Sequence, residues 1–427
     1  MVRLGAILSR ALLLCVAGGC VGIASAQRLP ESAAAARGLS APRWQRLHDF
    51  MEASTRAQGY LGAVTLVMRD GEVVDYHAYG HRDLARRASM QKDSIFRIYS
   101  MTKTVASVAV LMLLEEGRLG LDDPIARHLP EFAAMQVVSG EPGAPSRRPA
   151  AAAITIRHLL THTAGFPAGL PGDAAAAKLM AQADPQAATD LRDFSQRLSR
   201  TPLAADPGTR FGYDGASLEV LARLVEVVGG MPFADFLQQR LFDPLQMRDT
   251  GFRVPPAQRD RVVDITTMDR HGRLVLDDGP SALRPGEPLR PYSSAAGGLY
   301  STADDYARFC QMLLNGGRLG EASILGRKTV ELMMLNHLRL DPPVTQFSDA
   351  EGFGLGGYVV IDVARRGQLG SPGQFGWSGA ASTSYTIDRQ ERLVAIVLLQ
   401  HLPRSDVDDL PRISRSFYNL VYQALVP

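Results

Sequence analysis

The sequence predicts a mixed α/β fold of the α+β kind, in which an antiparallel sheet is flanked by helices and interrupted by a mostly helical insertion. β-Rich runs occur near both ends of the 427-residue chain, and helical patterns fill its middle. One sheet assembled from both ends is the simplest architecture for that order. We expect an export signal at 1–26 and one folded unit at 27–427. The sheet would come from about 43–118 and 291–427, and the helical region from about 119–290.

The N-terminus has the features of an export signal. Arg3 and Arg10 form a basic start, the apolar stretch 11–23 follows, and Ala24-Ser25-Ala26 is a cleavage site. The apolar stretch is too short to span a membrane. We therefore expect a periplasmic or secreted protein whose mature chain has no transmembrane segment. A lipid anchor on Cys20 is the alternative.

Charge and cysteine content narrow the classes of function. Lys plus Arg number 46 against 44 for Asp plus Glu, so nothing indicates a basic face for nucleic acid. Removal of the signal removes Cys15 and Cys20 and leaves Cys310, which excludes an intramolecular disulfide in the mature chain. Cys310 lies in an amphipathic helical pattern, and we expect a buried thiol there rather than a nucleophile.

Local patterns place the elements in order along the chain. The stretches 136–152 and 165–188 show little periodicity, and they read as long loops that could line a substrate pocket. Glycines end the three central helices, and an Asp-Gly turn joins the first two strands. The predicted helices are 44–57, an apolar buried one starting at Ser100, 218–228, 304–314 and 413–425. The predicted strands lie on either side of Asp70–Gly71 and at 358–363, 382–387 and 393–399.

The pattern Ser100-Met101-Thr102-Lys103 opens the apolar helix and is the strongest chemical signal. Residues three apart share a helix face, so the lysine amine is predicted to reach the serine hydroxyl. A serine needs an adjacent base to attack a carbonyl, and desolvation lowers the pKa of a lysine so that it can serve as one. The alternative is a serine that caps the helix beside a surface lysine.

The residues around this pattern resemble the nucleophile segment of class C β-lactamases and of the related family VIII carboxylesterases. The stretch 96–109 carries the resemblance, and four further segments match in the same order. Together they extend the resemblance over most of residues 60–400. It implies the β-lactamase/transpeptidase-like fold and a serine hydrolase that uses an acyl-enzyme and needs no metal or cofactor. The four segments are Gly117–Pro124, Ile154–Gly165, Pro207–Tyr213 and Gly297–Phe309.

The resemblance implies that Tyr213 is the catalytic tyrosine of the family. A free tyrosine has a pKa of about 10 and needs nearby positive charge to act as a base near neutral pH. Lys103 would supply that charge. The alternative is a core tyrosine whose hydroxyl is hydrogen-bonded.

The resemblance also implies that Gly376–Ala380 is the edge strand that lines the active site. Trp377, Ser378 and Gly379 would then contact the substrate. The backbone N–H groups of Ala380 and Ser100 would form the oxyanion hole. The alternative is an ordinary turn with a packed tryptophan.

Two departures from the β-lactamase pattern favour an ester substrate. β-Lactamases carry a lysine at the position of Trp377, and a neutral indole cannot bind a substrate carboxylate by charge. They also carry an asparagine at the position of Gly215. The glycine in this chain lacks the side-chain amide that could bond the substrate and Lys103. The esterase branch has a tryptophan at the position of Trp377. Ser378 differs from the glycine common in that branch, which leaves the pocket shape open.

Other constellations are weaker. Gly376–Ala380 nearly forms a G-x-S-x-G motif, but alanine replaces the last glycine and no strand–turn–helix surrounds Ser378. His158 and His162 lie four residues apart, yet Leu159 stands where a zinc peptidase needs glutamate. We expect the two histidines to cap a helix or pack in the core, and we expect no metal site.

These observations predict a serine hydrolase for a small ester or amide, with an ester of short or medium acyl chain favoured. Ser100 would attack, and Lys103 and Tyr213 would carry the proton. Which of the two is the base in each step stays open, because they would titrate as a coupled pair. A β-lactamase, a D-amino-acid peptidase or an acyltransferase is the alternative, and an exported binding protein without turnover is the third hypothesis.

Overall fold

The computed structural model describes residues 28–56, 59–139 and 146–426, so the predicted signal lies outside the described residues. Strands occur near both ends and in short pairs between them. In chain order they are β1 (Gly62–Arg69), β2 (Glu72–Gly80), β3 (Phe96–Arg97), β4 (Gln136–Ser139), β5 (Ser146–Pro149), β6 (Thr266–Met268), β7 (Leu274–Leu276), β8 (Tyr300–Ser301), β9 (Arg318–Leu319), β10 (Ala322–Ser323), β11 (Glu351–Phe353), β12 (Tyr358–Val360), β13 (Phe375–Ser378), β14 (Ser384–Asp388) and β15 (Leu393–Leu398).

The helices lie before, between and after these strands. Within the described ranges, none is long and apolar enough to cross a membrane. They are α1 (Ala41–Ser54), α2 (Thr102–Glu115), α3 (Ile156–Leu160), α4 (Ala174–Ala183), α5 (Leu191–Ser199), α6 (Ala216–Gly229), α7 (Phe233–Leu237), α8 (Asp243–Leu245), α9 (Pro280–Leu283), α10 (Ala303–Leu314), α11 (Arg327–Met333), α12 (Val363–Arg366) and α13 (Ser414–Tyr422).

One antiparallel sheet with the strand order β11-β12-β13-β14-β15-β1-β2 forms the centre of the described structure. β1 and β2 come from the N-terminal part and join the C-terminal strands where Val64 lies opposite Leu398. Asp70 and Gly71 connect β1 to β2, and both have the positive φ that a tight hairpin needs, 54° and 85°. The predicted fold class, with one sheet built from both ends, is confirmed.

The two faces of the sheet pack against different helices. One face packs on α1 and α13 through apolar side chains such as Leu47, Val67 and Phe417. The opposite face packs on α2, α10 and the central helices. Because α2 is buried from Thr102 to Leu113, the prediction of an apolar central helix is confirmed. Cys310 lies on α10 as a free buried thiol, also as predicted, and burial raises its pKa well above the usual value.

Several predicted boundaries were wrong. The helix predicted from Ser100 begins as a 3-10 turn over Tyr99–Met101, because Tyr99 has a φ of 43°, outside the helical region. The stretch 136–152 is not a plain loop, since β4 and β5 pair as a hairpin there, and 165–188 contains α4. The strand predicted over 358–363 ends early because Asp362 caps α12.

Candidate active site

Ser100 and Lys103 form a hydrogen-bonded pair at the start of α2. The Nζ atom of Lys103 donates to the Ser100 Oγ atom at 3.0 Å and to the Ala296 carbonyl oxygen at 2.6 Å. Lys103 is 4% exposed, whereas Ser100 is half-buried. The alternative of a capping serine beside a surface lysine is therefore wrong. The pair has the geometry of a nucleophile and its base, with the hydroxyl accessible and the amine enclosed.

The backbone beside Ser100 is held in a strained conformation. Tyr99 immediately precedes the serine and adopts a left-handed φ of 43°. His162, whose ring lies 4.7 Å from that of Tyr213, has a φ of 54°. Ser382, whose N–H donates to the Gly379 carbonyl oxygen, has a φ of 63°. Three of the eight non-glycine residues with positive φ in the described part of the chain thus lie in this region.

Tyr213 lies just before α6 and faces the pair. Its ring centroid is 5.0 Å from the Nζ atom of Lys103. The indole Nε1 of Trp377 donates to the Tyr213 hydroxyl oxygen at 3.0 Å. Because an indole nitrogen is a donor only, the proton of the tyrosine hydroxyl must point elsewhere. The structure thus brings together Ser100, Lys103, Tyr213 and Trp377, which come from three distant parts of the sequence.

Aromatic rings form a wall beside Tyr213 and Trp377. The Phe347 ring lies 5.7 Å from Tyr213 and 6.3 Å from Trp377, and Phe347 is 57% exposed. Phe353 packs edge-on against Trp377 at 5.1 Å. These offset and edge contacts hold the rings in place while one of them faces solvent. The wall offers an apolar surface at the mouth of the site, a feature that the sequence patterns did not reveal.

Trp377 and Ser378 lie at the end of β13, which is not the edge strand that the resemblance implied. β13 pairs with β14 on one side and with β12 on the other, because the three-residue strands β11 and β12 extend the sheet. The pairing with β12 covers Phe375 and Gly376. Trp377 and the exposed Ser378 lie beyond it, so the end of the strand that reaches the site retains an open edge.

Gly379 brings the end of β13 against the turn before Ser100. Its N–H donates to the Thr383 carbonyl oxygen at 2.8 Å. A Cβ atom on Gly379 would lie 2.4 Å from the Ile98 carbonyl oxygen, so this contact requires glycine. Ala380 follows directly and is exposed. This arrangement is compatible with an oxyanion hole of the Ser100 and Ala380 N–H groups, which stays a prediction.

Ala296 accounts for the glycine at position 215. A Cβ atom on Gly215 would lie 3.3 Å from the Ala296 Cβ atom, which is tighter than ordinary contact. The Ala296 carbonyl also accepts the hydrogen bond from Lys103. The Ala296 side chain therefore crowds the space of a side chain at position 215, and the backbone carbonyl of the same residue supplies an acceptor for the lysine.

Glu219 is a buried acid next to this backbone, and the sequence reasoning missed it. It lies on α6, accepts from the Ser294 Oγ atom at 2.5 Å and accepts from the Ala295 N–H at 2.9 Å. Burial raises the pKa of Glu219 to about 7, while these donors and the charge of Lys103 act in the opposite direction. The available signal was a lone acid within the aliphatic run Leu218–Ala222. A carboxyl on such a face is buried with a partner or a function.

The two histidines have structural roles, as expected. His158 and Thr155 form a reciprocal capping box at the start of α3. His162 is 1% exposed, lies 3.2 Å from a carboxylate oxygen of Asp214, and has its ring centroid 4.7 Å from that of Tyr213. Burial lowers the pKa of His162. The His162 ring therefore packs against the ring of Tyr213.

Comparisons with known proteins identify relatives over most of the chain. The family model described as Beta-lactamase matches residues 45–416. Protein Rv1367c of Mycobacterium tuberculosis is 34% identical over 81% of this chain and 87% of its own length. Esterase EstB of Burkholderia gladioli is 30% identical over 83% of this chain and 89% of its own length. The solved structure of EstCE1, a hydrolase with promiscuous acyltransferase activity, superposes with a TM-score of 0.70 at 25% identity, covering 91% of this chain and 98% of that one.

Proposed function

Because the chain belongs to the β-lactamase family of serine hydrolases, we propose that it cleaves carboxylic esters through an acyl-enzyme on Ser100. The observation that carries this proposal is the 3.0 Å contact between the Lys103 Nζ and Ser100 Oγ atoms at a half-buried serine. The 30% identity to an esterase over most of both chains supports an ester as the substrate class.

In the first half-reaction, the Ser100 Oγ atom attacks the ester carbonyl carbon and forms the new acyl–oxygen bond. The hydroxyl proton passes to the Lys103–Tyr213 pair and then to the departing alcohol, whose bond to the acyl carbon breaks. The N–H groups of Ser100 and Ala380 receive the negative charge on the carbonyl oxygen. In the second half-reaction, water gives a proton to the same pair and attacks the acyl carbon. The bond between the acyl carbon and the Ser100 Oγ atom breaks, the pair returns the proton to that oxygen, and the acid is released.

Glu219 is proposed as a positioning residue for Lys103. Glu219 accepts hydrogen bonds from the Ser294 hydroxyl and the Ala295 N–H. The carbonyl of the next residue, Ala296, accepts a hydrogen bond from the lysine amine. The lysine is thereby fixed within reach of the Ser100 oxygen. A group held in the reactive geometry needs less ordering at the moment of reaction.

The preference for an ester over a β-lactam rests on Trp377. The indole is neutral, and its N–H is bonded to Tyr213, so the side chain offers no charge to a substrate carboxylate. Neutral aromatic surface continues through Phe347 at the mouth of the site. An apolar, uncharged wall suits the acyl or alcohol part of a neutral ester.

The test compares a chromogenic short-chain ester with a chromogenic cephalosporin, using the wild-type chain and Ser100→Ala. We expect rapid ester cleavage, at least about 10⁴-fold slower in the variant, with little cephalosporin turnover. Dominant cephalosporin turnover would contradict the assignment of substrate class. Ester cleavage that survives in Ser100→Ala would contradict the nucleophile.

A variation of the assay separates hydrolysis from transfer. Adding a primary alcohol to the ester assay offers the acyl-enzyme a second acceptor besides water. A new ester in the products would add acyl transfer to the proposed chemistry, and it would still require Ser100. If the alcohol changes neither rate nor products, hydrolysis is the whole reaction.

A further inference from the structure

A second polar cluster lies on the sheet face opposite to Ser100. His48 comes from α1, and Asp75 and His77 come from β2, where residues two apart point to the same face. This face packs on α1 and α13, whereas the residues around Ser100 belong to the core on the other face. The cluster is therefore separate from the proposed hydrolase site.

The donor atoms of the cluster converge on one carboxylate oxygen. The His48 Nε2 atom lies 3.2 Å from Asp75 Oδ1, and the His77 Nδ1 atom lies 3.1 Å from the same oxygen. One ligand atom from each of the three residues falls within 4.8 Å of the others. Ligands that bind a transition metal at about 2.1 Å lie about 3 Å apart, so little rearrangement would bring them onto one ion.

The carboxylate is buried and incompletely satisfied. Asp75 is 7% exposed, and its Oδ2 atom has no hydrogen-bond partner among the described residues. Its Oδ1 atom, by contrast, faces both histidines and accepts from the Trp44 indole at 3.1 Å. A buried oxygen without a partner is unfavourable, and a bound cation would remove that cost.

A neighbouring hydroxyl holds His48 in a suitable orientation. The His48 Nδ1 atom lies 2.7 Å from the Tyr79 hydroxyl, which directs Nε2 toward Asp75. Histidine ligands of metals characteristically use their second nitrogen for such a bond. Glu52 and Asp49 add negative charge near His48, which favours a cation.

We propose that His48, Asp75 and His77 bind a divalent transition metal of the zinc class. Two imidazoles and one carboxylate suit zinc, cobalt or nickel, whereas calcium and magnesium prefer oxygen ligands. The three protein ligands leave further positions for water. The ion joins α1 to the outer strand β2, and it therefore stabilises the folded chain on binding.

The test is isothermal titration of the untagged, chelator-treated full chain with Zn²⁺, with Mg²⁺ as the comparison ion. We expect one zinc ion per chain, a rise of a few degrees in Tm with Zn²⁺, and no such rise with Mg²⁺. In His77→Ala the zinc dissociation constant should rise at least tenfold. His77 is chosen because its side chain is 51% exposed, so its removal leaves the core intact.

His271→Ala is the matched control, since His271 is an exposed histidine outside the cluster. Its zinc affinity should equal that of the wild type. Absence of stoichiometric binding in the wild type would overturn the proposal, as would equal affinity in His77→Ala or an equal loss in His271→Ala. None of these readouts depends on ester cleavage, so the metal site and the proposed function stand or fall separately.

Discussion

On one side of Ser100, Lys103 is held by hydrogen bonds that lead through Ala296 and its neighbours to the buried carboxyl of Glu219. On the other side, Tyr213 is held by ring contacts and by the N–H of Trp377. In a buried network of hydrogen bonds every polar group needs its partner, whereas contacts between aromatic rings are less directional. We infer that the hydrogen-bonded groups on both sides, including the Trp377 N–H, set the rate of the chemical step, and that the aromatic ring surfaces mainly select the substrate.

Among the variants that test this comparison, we expect the largest change in kcat from Glu219→Gln. Ser294 and Ala295 donate to different oxygens of Glu219, and an amide replaces one of these oxygens with an NH₂ donor. One of the two bonds is lost, so the Ala296 carbonyl and Lys103 lose their position. We expect kcat for ester cleavage to fall about 100-fold with KM within about threefold, measured by steady-state kinetics.

Asp305→Asn is the matched control for Glu219→Gln. Asp305 is also a buried acid whose pKa burial raises to about 7, but it bonds Thr250 and the Asp249 N–H, away from Ser100. The kcat of Asp305→Asn should stay within about twofold of the wild-type value. An equal loss of kcat in both variants would show that any buried acid matters and would remove the special role of Glu219.

A smaller effect, about tenfold in kcat, is expected from Trp377→Phe. The phenyl ring keeps the ring contact with Tyr213 but lacks the N–H donor, and one hydrogen bond of about 1.4 kcal/mol corresponds to tenfold in rate. Tyr358→Phe is the control. The Tyr358 ring also lies near Trp377, but its hydroxyl donates to Thr386 and not to Tyr213. If Trp377→Phe raises KM and leaves kcat unchanged, the hydrogen bond from Trp377 to Tyr213 does not contribute to the chemical step.

The raised pKa values of Glu219 and Asp305 also predict how the free energy of unfolding depends on pH. The pKa of each is about 7 in the folded chain, above the ordinary values of 4.5 for Glu219 and 3.8 for Asp305. Between about pH 4 and 7 the folded chain therefore binds more protons than the unfolded one, and the free energy of unfolding falls as pH rises. At most, Glu219 contributes on the order of 3 kcal/mol and Asp305 on the order of 4 kcal/mol to this fall.

Melting curves between pH 4 and 8 would measure this slope. Glu219→Gln and Asp305→Asn should each flatten it by a similar amount, although only the first slows the reaction. A slope that neither variant changes would mean that the two carboxyls stay ionised across this range.

The smallest effect is expected from Phe347→Ala. Phe347 is 57% exposed and adds apolar surface at the mouth of the site. We expect KM for a medium-chain ester to rise about threefold with kcat unchanged, since lost burial of a few CH₂ groups weakens substrate binding. Leu335→Ala removes a side chain that is 58% exposed elsewhere and should change neither constant. A fall in kcat for Phe347→Ala would place the aromatic wall in the chemical step.

Local patterns predicted the parts of the site that lie close together in sequence. Ser100 and Lys103 are one helical turn apart, so their contact follows from spacing. Tyr213 and Trp377 were located through the resemblance to a family, because no local pattern shows that they meet. Glu219 was missed since its importance depends on the backbone of residues 294–296, which only the folded chain brings beside it.

The place of β13 in the sheet was missed for a related reason. The strands β11 and β12 are three residues long each, too short for an alternating pattern to be recognised. The hairpin β4–β5 escaped notice in a stretch with little periodicity. The large elements, by contrast, were predicted because α2, α6, α10 and β15 each carry a long apolar pattern.

The joining of the two chain ends in one sheet has a consequence for the order of events during synthesis. The Arg97 N–H donates to the Gln400 side chain, 303 residues further along, and β1 pairs with β15. Contacts between such distant segments form slowly, and a growing chain acquires its N-terminal part first. Ser100 and Lys103 are therefore translated long before Trp377. We therefore expect the proposed esterase activity to appear only after the last strands are made.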